Sequence, residues 1–179
     1  MPARKTPPTE TCPHRPIVSS SHLVSDKSPE LSEFEFGLII ATHAFQRWMT
    51  RCMGAAGVKD MTPVDVMVLH HINHRHSAKR LADICFVLNI EDTHVVSYST
   101  KKLLGMGLLT SSKRGKEVFL STSEAGIALC ERYRQVREEC LLAGFLGQDE
   151  ENRQLGEIAR LLRTLSGRYD QAARAATSF

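Results

Sequence analysis

The stretch from Leu81 to Leu109 constrains the fold most, because its pattern predicts two short helices joined by a tight turn. Its first part is rich in closely spaced apolar residues, and residues 89–92 are of types that favour turns and helix caps. Asp92 is a suitable N-cap for the second helix, whose apolar seam consists of little more than Val96 and Leu103. Such a pattern is typical of a helix-turn-helix unit.

The opposite side of the second predicted helix is polar and positively charged. Its side chains are those of Thr93, His94, Ser97, Tyr98, Lys101 and Lys102. They supply hydrogen-bond donors, acceptors and positive charge but few carboxylates, which suits a surface that enters a DNA groove. The first four lie early enough in the helix to reach base edges, and the two lysines are expected to meet phosphates.

Basic residues also occur on both sides of this helix. Two short extended runs, 108–112 and 117–121, enclose a four-residue segment in which Gly115 permits a positive φ, so the pattern predicts a basic β-hairpin. Its basic side chains, expected to meet phosphates, are Lys113, Arg114 and Lys116. At the start of the preceding helix, Ser77, Lys79 and Arg80 are expected to anchor a further phosphate through side chains and free N–H groups.

Long helices with narrow apolar seams are predicted on both sides of this unit. Ser28 and Pro29 favour a helix start, and that helix should run to about Ala55. Its seam consists of Leu31, Phe34, Leu38, Ala41, Phe45, Trp48 and Cys52. The seam near the other terminus consists of Leu155, Ile158, Leu162, Leu165, Tyr169 and Ala172. This spacing of three and four residues favours lengthwise packing against another helix, either in the same subunit or in a second one.

The remaining segments are simpler to interpret. A helix from about Ser123 to Ala143, with Leu129, Tyr133, Val136 and Cys140 inward, should connect the hairpin to the last helix, which Asp149 can cap. Residues 1–27 are rich in Pro, Ser, Thr and charge without periodicity, which predicts a flexible arm. With 179 residues, 42% of them hydrophobic, and a net charge of +3, the chain suits one soluble domain with helical extensions.

A helix-turn-helix followed by a two-stranded hairpin is a winged helix, and the stretch from Thr62 to Gly126 resembles the MarR family of bacterial transcription regulators. The matching residues are Thr62-Pro63, Leu69, Ile72, Arg80-Leu81-Ala82, Leu103, Gly107-Leu108 and Ser123-Glu124-Ala125-Gly126. The hairpin lacks the family's Asp-x-Arg pattern, and Glu91 looks like an extra residue in the turn. The counterpart of the family's wing arginine is either Arg114 or Lys116.

The resemblance implies a mainly α fold with a small β-hairpin wing. The winged helix-turn-helix domain would span about 60–122, and dimerisation helices would span about 29–56 and 123–177. It also implies a homodimer that binds double-stranded DNA in a sequence-specific manner, with a repressor favoured over an activator. A small-molecule effector between the dimer helices and the DNA-binding lobe is implied as well. Phe45, Trp48 and Met49 could line its pocket, although core packing also explains their spacing.

Particular residues suggest two alternative functions. His70 and His74 lie at i, i+4 and could bind a metal from one helix face, but no convincing third and fourth ligands follow, and no cofactor is expected. A winged helix that binds a protein instead of DNA would need an apolar, weakly charged recognition face, which the lysine pairs do not provide. No sequence motif of an enzyme is present, so no catalytic residue is expected.

The oxidation state of the cysteines and the cellular location of the protein are predicted from simpler features. The five cysteines are Cys12, Cys52, Cys85, Cys130 and Cys140. They form no C-x-x-C pair, which predicts reduced thiols and leaves a redox-sensing cysteine as an alternative. No run is long enough to span a membrane and the N-terminus does not look like a signal peptide, so a cytoplasmic protein without membrane contacts is expected.

Overall fold

The computed structural model describes residues 16–145 and 149–179, and internal contacts divide the chain into two units, Met1–Arg51 and Cys52–Phe179. The described part contains six α-helices and one two-stranded antiparallel sheet, so the predicted mainly α fold with a hairpin is confirmed. In chain order the elements are α1 (Pro29–Ala55), α2 (Pro63–Asn73), α3 (Leu81–Leu88), α4 (Thr93–Gly105), β1 (Leu109–Arg114), β2 (Glu117–Thr122), α5 (Glu124–Cys140) and α6 (Asp149–Ala176).

The first unit holds a short 3-10 turn, Ser21–Leu23, and most of α1. The hydroxyl of Ser32 donates a hydrogen bond of 2.7 Å to the Leu23 carbonyl, which fastens this turn to the start of α1. The predicted flexible arm covers residues 1–27, of which 1–15 lie outside the described residues. Its flexibility stays a prediction.

In the second unit, α2 is the central helix and contacts α3, α4, α5 and β2. Its buried apolar side chains, none more than 1% exposed, are Val66, Val68, Leu69 and Ile72. The helix begins at Pro63, and Thr62 is its N-cap. Thr62 Oγ1 accepts a hydrogen bond of 3.2 Å from the Asp65 N–H, and Asp65 Oδ2 accepts one of 2.8 Å from the Thr62 N–H. This capping box satisfies two N–H groups at the helix start.

The predicted helix-turn-helix is formed by α3 and α4. Asn89 ends α3 in the left-handed conformation, with φ of 52°, and Asp92 caps α4 by accepting a hydrogen bond of 2.9 Å from the His94 N–H. Val96 and Leu103 are fully buried. The N-cap and the thin apolar seam of α4 are therefore confirmed.

The hairpin is longer than predicted. Its strands pair from Leu109 opposite Thr122 to Arg114 opposite Glu117, so only two residues form the loop. Gly115 has a φ of 62°, whereas Lys116 does not have a positive φ. A glycine with positive φ in the first loop position makes a two-residue turn that suits the twist of the strands, and pairing therefore continues to the end of the basic segment.

The connection from the hairpin to α5 is tight. Ser123 caps α5 by accepting a hydrogen bond of 3.1 Å from the Gly126 N–H, and its hydroxyl donates one of 2.7 Å to the Gly107 carbonyl. In α5, Leu129 and Tyr133 are buried as predicted. Cys140 is exposed and not inward, because the buried part of the helix ends at Tyr133.

The last helix has an apolar face that the single chain leaves uncovered. No residue of α6 is buried, and its exposed large apolar side chains are Leu155, Ile158, Leu161, Leu162 and Tyr169. Asp149, predicted to cap this helix, is its first residue, and the preceding residues 146–148 lie outside the described part, so the cap stays a prediction. Within the described ranges, no helix is both long and apolar enough to cross a membrane.

Candidate nucleic-acid interface

One side of α4 faces solvent along its whole length, and we call its five polar residues the outer face. They are Thr93, His94, Ser97, Tyr98 and Lys101. All are exposed except Ser97, which is half-buried, and Tyr98 is 73% exposed. The buried side of the helix consists of Val96, Ser99, Thr100 and Leu103. The structure thus brings five of the six residues predicted on this helix onto one accessible surface.

Lys102, the sixth residue, lies differently. Its ammonium is 2.7 Å from Asp65 Oδ2 and also donates to the Asp60 carbonyl, and its side chain is 26% exposed. The expectation that Lys102 meets a phosphate is not supported by this placement, because its charge already has a partner within the domain. The position lies at the edge of the outer face, from which a long side chain can reach the neighbouring helix.

The partner of Lys102 is an almost buried carboxylate. The Asp65 side chain is 3% exposed, and its Oδ2 accepts from both the Lys102 ammonium and the Thr62 N–H. Burial raises the pKa of Asp65, but the hydrogen bonds from Lys102 and Thr62 outweigh burial and hold this pKa below its ordinary value. Asp65 is therefore ionised at neutral pH and forms a charged link between α2 and α4.

The hairpin presents three exposed basic side chains, those of Lys113, Arg114 and Lys116. The Arg114 guanidinium lies 5.0 Å from the centre of the Phe119 ring, a cation–π contact that orders the side chain without neutralising its charge. The structure does not distinguish Arg114 from Lys116 as the wing's main contact. Arg114 directly precedes the loop, and Lys116 is the second of its two residues.

The predicted phosphate anchors before α3 are engaged inside the domain. The Lys79 ammonium donates to the His74 carbonyl at 2.7 Å and to both oxygens of Ser77. Arg80 binds Asp83 and, at 3.0 Å, Glu117 of β2; its hydrogen bonds to Asp83 and Glu117 raise its pKa. The backbone of Lys79 also pairs with Leu120. These residues fasten α3 to the hairpin, which leaves them less available to a phosphate than the outer face.

A cleft of about 570 Å³ lies in the second unit beside α2 and α5, and we call it the α2–α5 cleft. Its lining includes His70, Asn73, Ile127, Cys130, Tyr133 and Arg137. The His70 ring packs edge-on against Tyr133 with a centroid distance of 4.5 Å, and burial lowers the pKa of His70, so the ring is neutral at pH 7. Among residues 16–145 and 149–179, His70 Nε2 and Asn73 Oδ1 are buried and have no hydrogen-bond partner. Such atoms are uncommon in folded domains and mark a polar spot that a ligand can satisfy.

The predicted effector residues belong to the first unit, where Phe45 is 57% exposed, Trp48 is half-buried and Met49 is buried. Their role is untested. For the alternative metal site, no group of three or more His, Cys, Asp or Glu side chains within residues 16–145 and 149–179 is placed to hold an ion. The thiols of Cys52, Cys85, Cys130 and Cys140 are free, and Cys12 lies outside the described residues.

Comparisons with known proteins agree with this geometry. Residues 61–126 match a family model described as a winged helix DNA-binding domain. A MarR-family transcriptional regulator from Rhodococcus sp. RHA1 has a TM-score of 0.61 and 12% identity, covering 74% of this chain and 94% of that one. Reduced AbfR, solved bound to DNA, has a TM-score of 0.60 and 16% identity over 75% of this chain and 93% of its own. The chain has the fold of the MarR-family transcription regulators.

A further similar structure is that of CouR from Rhodococcus jostii RHA1 bound to p-coumaroyl-CoA. It has a TM-score of 0.61 and 11% identity, covering 74% of this chain and 90% of that chain. No curated protein matches the sequence. The domain match and the MarR-family fold confirm the sequence resemblance at the level of the fold.

The sequence did not identify two features of this interface. The ion pair of Lys102 with Asp65 joins residues far apart in the chain, and only the Thr-x-x-Asp spacing of the capping box marked Asp65 as special. The contact of Arg80 with Glu117 joins α3 to the hairpin in the same way, whereas its contact with Asp83 follows from an i, i+3 spacing.

Proposed function

We propose that this protein is a sequence-specific, DNA-binding transcription regulator, and that α4 enters the major groove. The observation that carries the proposal is the outer face of α4, a solvent-exposed polar surface next to a basic hairpin on a winged-helix fold. A single α-helix fits the major groove, where donors and acceptors of the base pairs differ. AbfR, which has the same fold, was solved bound to DNA.

The proposed contacts fall into two classes. Thr93, His94, Ser97 and Tyr98, in the first half of α4, contact base edges. Lys101, Lys113, Arg114 and Lys116 contact phosphates, which position the protein without selecting a sequence. Lys102, Lys79 and Arg80 are left out of this set, because each already has a hydrogen-bonding or charged partner within the domain.

The acting species in this proposal is a homodimer. The apolar side chains along α6 are exposed, and in α1 Leu31, Ile39, Ile40 and Phe45 are exposed as well. Exposed apolar side chains on a helix mark an interaction site, and the three-four spacing of each terminal helix suits packing against another helix. A closed twofold dimer presents two copies of α4 symmetrically. Repression is the action that the family resemblance implies.

Selection of bound DNA from a random pool with the purified protein tests this function. We expect an inverted repeat whose half-sites are centred roughly one helical turn apart, about 10 base pairs. Recovery of a single asymmetric motif would argue against the symmetric dimer. Recovery of no motif, with a folded dimer, would favour the alternative in which the winged helix binds a protein.

A small-molecule effector is the second part of the proposal. The α2–α5 cleft supports it, because a ligand there can supply hydrogen bonds to His70 Nε2 and Asn73 Oδ1 and can face the Arg137 guanidinium. The same fold in CouR was solved with p-coumaroyl-CoA bound. The ligand class expected is therefore a small aromatic compound with an anionic or phenolic group.

Titration calorimetry with phenolic and aromatic carboxylates tests the effector site. If the ligand binds in the cleft, Asn73→Leu should abolish the heat of binding while Trp48→Phe leaves it unchanged. The opposite result would move the site to Phe45, Trp48 and Met49. No heat with any such compound would remove the effector from the proposal and leave DNA binding in place.

A further inference from the structure

Half of the buried side chains that pack α4 onto the rest of the second unit are polar. Of its four buried residues, Val96 and Leu103 are apolar, but Ser99 and Thr100 are hydroxyl side chains. Hydrophobic stabilisation is non-directional and scales with the apolar area removed from water. Two apolar side chains therefore hold the helix against its neighbours but do little to fix its rotation about its own axis.

The Lys102–Asp65 ion pair is a directional contact that can fix the rotation of α4 about its own axis. The carboxylate is fixed within α2, because its Oδ2 also accepts the Thr62 N–H at 2.8 Å. The ammonium, 2.7 Å from the same oxygen, also donates to the Asp60 carbonyl just before α2. One end of the link is thus anchored to the backbone at the start of α2, and the other end is carried by α4.

The geometry of the helix relates this link to the outer face. Successive residues are about 100° apart around an α-helix, so Lys102 lies about 140° from Ser97 and about 40° beyond Tyr98. A rotation of α4 by that smaller angle would turn Tyr98 towards α2 and carry the Lys102 ammonium away from Asp65. The rotation that satisfies the ion pair is therefore the one that leaves the outer face accessible.

We propose that Lys102 is a positioning residue, and that its ion pair with Asp65 fixes the rotation of α4 so that the outer face is aimed at DNA. The inference rests on the proposed function and deepens it. A buried ion pair adds little net stability, since desolvation of both charges offsets their attraction, whereas separating the charges leaves one of them buried and unpaired. The pair therefore penalises wrong rotations of the helix without adding much to the stability of the right one.

The effect of the ion pair on helix position and its effect on stability can be measured separately. In the double variant Asp65→Asn, Lys102→Met both charges are gone, and the Asn carbonyl can still accept the Thr62 N–H. We expect its urea denaturation midpoint to stay near that of the wild type, while each single variant unfolds at lower urea because one charge or donor is left unpaired. Lys102→Arg retains a cation and should keep both stability and DNA selectivity.

The decisive measurement is the ratio of affinity for the selected DNA site to affinity for random DNA. In the double variant we expect this ratio to fall on the order of tenfold, the loss that accompanies one misplaced base contact. Lys101→Met, on the outer face, should weaken binding to both DNAs and leave the ratio unchanged. Glu150→Gln, which breaks an exposed ion pair with Arg153 on α6, should change neither quantity.

A second readout needs no DNA. Amide resonances of α4 in a heteronuclear NMR spectrum should broaden or split in the double variant, while those of α5 keep their positions. A double variant with the wild-type affinity ratio and unchanged α4 resonances would overturn the inference. If the wild type itself shows no sequence preference, the proposed function fails, and the α4 resonances alone decide whether the pair positions the helix.

Discussion

Replacement of Gly126 by Ala should destabilise the protein, because an added methyl group has no room. An ideal Cβ at this position would lie 2.2 Å from the Leu108 carbonyl oxygen and 2.7 Å from Thr122 Cγ2. The carbonyl cannot easily move away, since it accepts the Ser123 N–H at 3.0 Å. Either the turn between β2 and α5 or the end of α4 must shift to relieve the contact.

The magnitude follows from two opposing effects. Forcing an extra methyl group into a packed site costs about 1–3 kcal/mol, and Ala in place of Gly within a helix returns about 0.5–1 kcal/mol. We therefore expect a net loss of about 1–2 kcal/mol in the free energy of unfolding. For a chain of 179 residues this corresponds to a melting temperature lower by roughly 2–8 °C.

The assay is urea unfolding followed by circular dichroism, with calorimetry at the same protein concentration, because the apparent stability of the proposed dimer would depend on concentration. Gly105→Ala is the matched control. Gly105 is helical and has nothing within 4 Å of an added Cβ, so this change should stabilise α4 by about 0.5–1 kcal/mol. A Gly126→Ala variant as stable as the wild type would refute the packing argument.

Three further predictions concern charge, assembly and pH. Lys101→Ala and Arg114→Ala should each weaken binding to specific and random DNA alike, and should reduce the slope of log affinity against log salt by about one unit per lost phosphate contact. Unchanged slopes would remove these residues from the interface. Leu162→Glu places a charge on the exposed apolar face of α6 and should convert the dimer to a monomer in sedimentation velocity; a persistent dimer would exclude α6 from the interface. Burial raises the pKa of Asp65, but hydrogen bonds outweigh burial and hold this pKa below its ordinary value. The ionised side chain therefore contributes fully to the free energy of unfolding above about pH 4, and this contribution is lost as the pH falls further. Below about pH 4, the free energy of unfolding should therefore fall less steeply with pH in Asp65→Asn than in the wild type. An equally steep fall would contradict the assignment of this pH dependence to Asp65.

Local signals in the sequence predicted the elements that carry the interface. The Asp92 cap and Gly115 in the hairpin loop each depend on neighbours within a few residues, and each lies where the pattern predicts. The polar outer face of α4 also followed from helical spacing. These features depend on local backbone chemistry, which a single sequence contains in full.

Contacts between distant parts of the chain could not be predicted in this way. Helical spacing placed Lys102 beside the outer face, but its long side chain turns to a carboxylate on α2, and no spacing rule relates it to Asp65. Gly126 matched the resemblance as a residue type, whereas the carbonyl it packs against comes from Leu108. Cys140 continued an apolar spacing beyond the point at which the domain still covers α5. In each case the tertiary neighbour, and not the local pattern, determines the environment.

The most direct test of the central claim is repeated selection of DNA with the wild type and with Ser97→Ala and His94→Ala. If the outer face of α4 contacts bases, each variant should relax preference at one position, and at the same position in both half-sites, by roughly 1–3 kcal/mol for a good contact. Their salt slopes should stay close to the wild-type value. Unchanged motifs from both variants, with the dimer folded, would contradict the assignment of α4 to the major groove.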